Sequence, residues 1–315
     1  MERWIHPAVI LVATDLTELD RLMPFALQQA AQSGARLLLL HVLATSASMT
    51  ADAAGMPYYD PAGALDFAAN TLEPWCALAR RQNLACDALV REGSASQQIG
   101  AAARQFQAGR LLLGTRSRSK LGKLLLGSVA EQVLRSVNLP VITVGPEAHI
   151  PVAASNGESA VLHATTLRET SRPGAALACR IAESLNAKLL LLHVLPPAAE
   201  LSDPSGGRSG QPAALDSAAL HELRILATET AAACNVRVEP HVVHGNPAIE
   251  ILAMASERQA NLIVLGARHR SLFQDLARDR TIYRVLAHAR CPVLTLRDQQ
   301  AVAAGAHTGQ MATYG

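Results

Sequence analysis

The sequence predicts two copies in tandem of one α/β domain, each with a parallel β-sheet covered by helices on both faces. Two observations carry this. The string Ala35-Arg36-Leu37-Leu38-Leu39-Leu40-His41-Val42-Leu43 returns as Ala187-Lys188-Leu189-Leu190-Leu191-Leu192-His193-Val194-Leu195. In both halves, short runs of leucine and β-branched residues alternate with longer segments of helical period, the pattern of strands joined by crossover helices. A chain of 315 residues also suits two domains of about 150 residues each.

The repeat keeps one register over a long span. At the shift of 152 positions that carries Leu37 to Leu189, Gly93 meets Gly245 and Gly114 meets Gly266. Arg116 likewise meets Arg268, Arg118 meets Arg270, and Pro140 meets Pro292. The opening strands match at a shift one residue smaller, Val9–Leu16 against Ala160–Leu167. Duplication explains such a register, and repeats of this kind decide the fold before any finer reading.

In the first copy, strands are expected near 8–13, 37–42, 86–91, 110–114 and 140–144, with helices near 20–33, 66–82, 96–107 and 128–137. The strands are almost continuously apolar, as in a sheet buried on both faces. The last helix carries Val129, Val133, Leu134 and Val137 on one stripe, and Ser128-x-x-Glu131 reads as a capping box at its start. In the second copy, Asn246-Pro247 supplies an N-cap followed by proline at the first helical position.

Three segments depart from this rhythm. Residues 44–64 and 196–212 read as long loops after the second strand of each copy, and 299–315 as a disordered tail. The domains are therefore expected at 1–147 and 158–298, with a linker near 145–158.

Composition excludes several functions. With 28 basic and 26 acidic side chains the formal net charge is +2, so no global field draws the chain to nucleic acid. Aromatic residues are 3% of the chain, too few for a base-stacking surface. No apolar run approaches the roughly 20 residues of a membrane span, and the N-terminal residues carry no secretory signal. Cys76, Cys86, Cys179, Cys234 and Cys291 contain no Cys-x-x-Cys pair and suit a reducing compartment. The expected location is the cytoplasm, with no membrane or nucleic-acid partner.

The chemistry concentrates in the loop leaving the fourth strand of the first copy. It runs from Gly114-Thr115-Arg116-Ser117 to Gly127-Ser128, with Arg118, Lys120 and Lys123 between. Backbone amides and the helix dipole at Gly127-Ser128 favour an anion, and the cations enrich the same loop. The same residues also fit a tight turn, a helix cap and a solvated basic loop. Neither a Gly-x-x-x-x-Gly-Lys-Ser/Thr loop nor a Gly-x-Gly-x-x-Gly fingerprint occurs.

These motifs, with Leu124-Leu125-Leu126-Gly127-Ser128-Val129-Ala130-Glu131, Leu139-Pro140-Val141, Thr14-Asp15 and His41-Val42, resemble the universal stress protein family across both copies, roughly 5–145 and 158–297. The resemblance implies a flavodoxin-like, Rossmann-like domain with a five-stranded parallel sheet of order 3-2-1-4-5. It also implies pairing of domains through the fifth strands, Val141–Val144 and Val293–Leu296, as a pseudo-dimer within the chain, beside which a homodimer and an unidentified protein partner remain open. ATP-binding members carry Gly, two residues, Gly, nine residues, Gly, then Ser or Thr. Here Gly114, Gly127 and Ser128 keep that spacing and Ser117 replaces the second glycine.

Carried over residue by residue, the resemblance places Ala13, Thr14 and Asp15 under adenine and ribose, with the Asp15 carboxylate on the ribose hydroxyls. Val42 would meet the adenine edge through its backbone, and Leu113 and Gly114 would flank the nucleotide. Arg116, Ser117, Gly127, Ser128 and Val129 would surround the phosphates. The implied ligand is ATP or another adenine nucleotide, with or without Mg²⁺.

The second copy departs from the pattern. Thr166 aligns with Asp15, the loop reads Gly266-Ala267-Arg268-His269, and Asp279-Arg280 stands where Gly127-Ser128 stands. It is expected not to bind. Elsewhere, His41 and His193 at matching strand ends suit packing better than catalysis. His241 and His244 lie on opposite sides of a strand, which keeps them from one metal. Asp60, Asp66 and Glu73 look like solvated surface. No catalytic base is evident, so an enzyme is not expected. A nucleotide-free scaffold and an adenine-nucleotide α-hydrolase-like enzyme are the rivals, the latter disfavoured because Thr14-Asp15-Leu16-Thr17 is not a Ser-Gly-Gly loop.

Overall fold

The structure, a computed structural model, describes residues 2–43, 49–51, 57–115, 126–149, 159–168, 172–197, 211–267 and 280–297. The chain divides into two compact units between Val144 and Gly145. Outside the described residues lie the tail 299–315, much of the predicted loops 44–64 and 196–212, most of the expected linker, and Arg116, Ser117, Arg118, Lys120, Lys123, Arg268, His269 and Asp279.

In the first unit, after a single helical turn α1 (Glu2–Ile5), strands β1 (Val9–Thr14), β2 (Arg36–Leu43), β5 (Cys86–Glu92), β6 (Arg110–Gly114) and β7 (Val141–Val144) form a parallel sheet in the order β5-β2-β1-β6-β7. Counted within the copy this is 3-2-1-4-5. The chain winds outward from β1 in one direction and then returns to wind in the other. Right-handed crossovers therefore put helices α2 (Leu19–Ser33) and α3 (Pro61–Arg81) on one face, and α4 (Ala95–Gln105) and α5 (Ser128–Ser136) on the opposite face. Successive strand side chains point to opposite faces, yet Leu37, Leu38, Leu39 and Leu40 are all buried, so both faces are covered.

The second unit repeats the plan with β8 (Ala160–Ala164), β9 (Lys188–Leu195), β10 (Val238–His244), β11 (Leu262–Ala267) and β12 (Val293–Arg297), in the order β10-β9-β8-β11-β12. Its helices are α6 (Arg172–Ser184), α7 (Gln211–Ala232), α8 (Pro247–Glu257) and α9 (Arg280–His288). One core position differs in kind. His163 of β8 stands where β1 has Val12, fully buried, with Nδ1 3.0 Å from the Val264 carbonyl oxygen. Burial pushes its pKa down to about 4.

Three local expectations are corrected. The third helix starts at Pro61, five residues earlier than predicted, because Asp60 caps it and accepts from the Gly63 amide at 3.0 Å. Asp60 is thus a helix cap rather than idle surface. A short antiparallel hairpin, β3 (Met49–Ala51) with β4 (Pro57–Tyr59), occupies part of the predicted loop ahead of it. The capping box at Ser128 does not form. Gly127 is the N-cap and its carbonyl takes the Glu131 amide at 3.0 Å, while the Glu131 carboxylate pairs with Arg135 one turn on. In the second unit Asn246 caps α8 as expected, accepting from Ala248 and Ile249, with Pro247 first in the helix.

Candidate functional site

The turn leaving β1 is fixed by its own side chains. Thr14 is buried, and its Oγ1 accepts from the Leu16 amide at 2.9 Å, which holds Leu16 at a φ of 74°. The Thr17 amide and hydroxyl both donate to Asp15 Oδ1, at 2.8 and 2.7 Å. These bonds set the direction of an exposed carboxylate at the carboxyl end of a central strand. Glu18, 5% exposed, follows at the N-terminus of α2.

Beside this turn, at the reversal of strand order between β1 and β6, lies a cavity of about 300 Å³. Its floor is Ala13, Thr14, Leu40 and Leu113; Asp15, Glu18, His41 and Val42 edge it; Ala95 and Ile99 of α4 and Gly127–Ala130 of α5 close it. Ser96 of α4 donates to Gln132 of α5 at 3.1 Å, tying the two helices that form that wall.

The residues expected to meet a nucleotide thus come together. Ala13, Thr14, Asp15, Val42, Leu113, Gly127, Ser128 and Val129 all line this one cavity. Gly114, the last residue of β6, is not itself among the lining residues. A Cβ there would lie 2.2 Å from Glu18 Oε1, so only glycine lets the Glu18 carboxyl pack against the strand end. Arg116 and Ser117 lie outside the described residues. The ladder of α5 begins with the Glu131 amide, so those of Ser128, Val129 and Ala130 precede it at the helix N-terminus.

Several lining residues escaped the sequence reading. Glu18 is one, although its counterpart Glu169 recurs at the shift of the opening strand. His41 packs at the strand end as expected, with Nδ1 2.9 Å from the Thr14 carbonyl oxygen, but it also lines the cavity. Ala95 and Ile99 carry no polar signal that could have marked them.

The second unit reproduces the turn without its carboxylate. Leu167 has a φ of 57°, its amide donates to Thr165 Oγ1 at 3.2 Å, and His193 Nδ1 lies 2.9 Å from the Thr165 carbonyl oxygen. Thr166 therefore occupies the place of Asp15, as the sequence register indicated. In the sequence register Asp279, outside the described residues, stands against Gly127. His241 and His244 of β10 have different partners: His244 bonds Asp216 at 2.6 Å and His241 lies 3.8 Å from Glu239. Among the described residues no cluster of three His, Cys, Asp or Glu could hold a metal ion.

Comparison with known proteins accords with this duplicated plan. The profile of the universal stress protein family matches residues 8–145 and again 159–297. The chain belongs to the universal stress protein family. Among solved structures, a universal stress protein from Archaeoglobus fulgidus DSM 4304 is similar at 20% identity, with a TM-score of 0.68 over 93% of this chain and 97% of the other. A protein of unknown function from Pseudomonas aeruginosa PAO1 follows at 18% identity and 0.64, over 98% and 100% of the two chains. A putative universal stress protein from Pseudomonas aeruginosa UCBPP-PA14 matches at 17% and 0.61, over 97% and 99%. At these identities the likeness shows a shared tandem fold. No curated protein matches the sequence. Among the described residues no helix of this universal stress protein is long and apolar enough to cross a membrane.

Proposed function

We propose that this universal stress protein binds one adenine nucleotide in its first domain and acts as a cytoplasmic stress-response or signalling module. The observation that carries the reading is the single cavity lined by Asp15, the apolar residues of three strand ends and the N-terminus of α5. An apolar slot takes a base, an oriented carboxylate takes a ribose diol, and helix amides take phosphate. The residues present therefore fit ATP or a smaller adenine nucleotide, with Mg²⁺ entering on a polyphosphate where one is bound.

The second domain, with Thr166 for Asp15 and Asp279 for Gly127, is read as a partner that does not bind. We assign the pairing of the two domains to their fifth strands, whose apolar runs would otherwise be open edges. Slow amide exchange at Val141–Val144 and Val293–Leu296 in the full chain would support the pairing, and exchange at the rate of a free edge would refute it.

The function is tested by denaturing the purified protein and identifying any released nucleotide, followed by calorimetric titration with AMP, cAMP and ATP. An adenine nucleotide released, or bound at one site per chain, is the expected result. Neither release nor binding would favour the nucleotide-free scaffold. Product analysis after incubation with ATP checks the reading as a binder rather than an enzyme.

A further inference from the structure

The cysteines look unrelated in the sequence, but the fold brings Cys76 to Cys86 and, in the second domain, Cys179 to Cys234. Cys76 lies within α3 and Cys86 opens the edge strand β5, ten positions later. Their sulfurs are 3.2 Å apart, with the Cys86 thiol donating to Cys76 Sγ. Both residues are buried, at 0% and 3% exposure. A disulfide bond of about 2.0 Å is reached if the two sulfurs close by roughly 1.2 Å. Neither residue is repeated in the second copy, where Thr228 and Val238 take these places, so a pair joining this helix to the edge strand is not duplicated.

We propose that Cys76 and Cys86 form a redox site, a dithiol that a hydroperoxide converts to a disulfide and a low-molecular-weight thiol restores. This assignment is independent of the nucleotide-binding reading.

The surroundings select which sulfur reacts first. Arg80 lies one helical turn beyond Cys76, and its guanidinium reaches the Cys86 carbonyl oxygen at 3.2 Å and Glu73 at 2.8 Å. The hydrogen bond from the Cys86 thiol, opposed by burial and aided by the Arg80 charge, holds the Cys76 thiol below its usual range. That same bond and burial push Cys86 up. Burial also raises Cys179, and it raises Cys291 to about 12. Cys76 is thus the nucleophile, since the thiolate is the reactive form.

The steps balance. Cys76 loses its proton to solvent and attacks one peroxide oxygen; the O–O bond breaks, hydroxide leaves and is protonated, and Cys76 becomes a sulfenic acid. Cys86 then attacks the Cys76 sulfur, the S–O bond breaks, and the departing hydroxide takes the Cys86 proton. Two thiols lose two electrons in all, and one peroxide becomes two molecules of water. Peroxide is small enough to reach a site behind an edge strand, whose hydrogen bonds on one side open more readily than those of a central strand.

The test uses the full-length reduced protein, treated with hydrogen peroxide under native conditions and then with iodoacetamide. The expected result is an intact mass lower by about 2 Da before alkylation and a linked pair of tryptic peptides, since Arg80 and Arg81 lie between the two cysteines. Dithiothreitol should restore two alkylatable thiols. Cys86→Ser should halt the reaction at a Cys76 sulfenic acid captured by dimedone, and Cys76→Ser should leave Cys86 unmodified. Recovery of both as free thiols would overturn the proposal. So would Cys76 oxidised to sulfinic or sulfonic acid without the link, or a link from Cys76 to any other cysteine.

Discussion

The imidazole of His41 donates from Nδ1 to the main-chain oxygen of Thr14 at 2.9 Å, fastening the end of β2 to the turn that follows β1. His193 and Thr165 make the same bond at the same length in the second unit. A contact kept in both copies belongs to the architecture of the turn, yet only in the first unit does the turn carry an aspartate. His41→Leu and His193→Leu should each cost about 1 kcal/mol of stability in chemical denaturation, the net worth of one part-buried hydrogen bond. Only His41→Leu should also weaken adenine nucleotide binding in calorimetry. Equal affinity in both variants would confine His41 to packing.

Asp15 is oriented by Thr17, through both its amide and its hydroxyl. Asp15→Ala should remove the bonds to the ribose diol and weaken AMP binding roughly 10- to 100-fold, the loss of about 1.5–3 kcal/mol expected for hydrogen bonds to a charged group. Thr17→Val should have a smaller effect, because the amide bond to Oδ1 remains. The two variants should converge when the ligand is free adenine, which has no ribose. A loss for adenine as large as for AMP would place Asp15 elsewhere in the site.

His163 makes the second unit sensitive to acid. Its pKa lies near 4 in the folded chain against 6.5 when exposed, because burial disfavours the charged form. Between those values the unfolded chain binds a proton that the folded chain does not. Stability is therefore complete above about pH 6.5 and is lost as pH falls toward 4, by a total of about 3 kcal/mol. His163→Val restores the residue found at Val12 in the first copy and should flatten this part of the profile. Urea midpoints at pH 7 and pH 4.5 would measure it. An unchanged difference between the two pH values would assign the acid sensitivity to other groups.

The fold was legible because its signals are collective. Leu37–Leu40 and Leu189–Leu192 cannot be half-exposed strands, and their common register duplicates everything around them. Local details were legible where one residue carries a strong backbone preference, as Pro247 does after Asn246. Asp60-Pro61 carries the same signal, but Ala62, Gly63 and Ala64 dilute the helical pattern behind it. Ser128 does not cap because the helix starts one residue earlier, with Gly127 at the N-cap, so Ser128 is already the first helical residue and its hydroxyl is not at the capping position. In the cavity, the polar turn at Asp15 and the glycines marked themselves by chemistry. Glu18 did not, because its burial follows from a close approach to Gly114 across the sheet, which adjacent residues do not reveal.

Stoichiometry gives the sharpest division between the two domains. The first has Asp15 beside the cavity and Gly127 at the N-cap of α5, whereas in the sequence register the second carries Thr166 and Asp279 against them. A carboxylate a few ångströms from a phosphate group costs roughly 1–4 kcal/mol at a surface-like dielectric, a ten- to thousandfold loss of affinity. Titration of the full chain with an adenine nucleotide should therefore give one site. Gly127→Asp, which gives the first domain the residue that the second carries at the aligned position, should abolish binding of phosphorylated ligands. The fold should survive, because Gly127 sits at a φ of −62° and a ψ of 143°, a conformation open to any residue, and aspartate is a favourable cap. Circular dichroism would confirm that the secondary structure is retained. Adenosine, which has no phosphate, should bind this variant as it binds the parent. Changing Asp279 to glycine and Arg280 to serine together should not create a second site, because Thr166 still offers no carboxylate to a ribose. Two sites in the parent chain, or full affinity for AMP in Gly127→Asp, would show that the phosphate lies away from the N-terminus of α5.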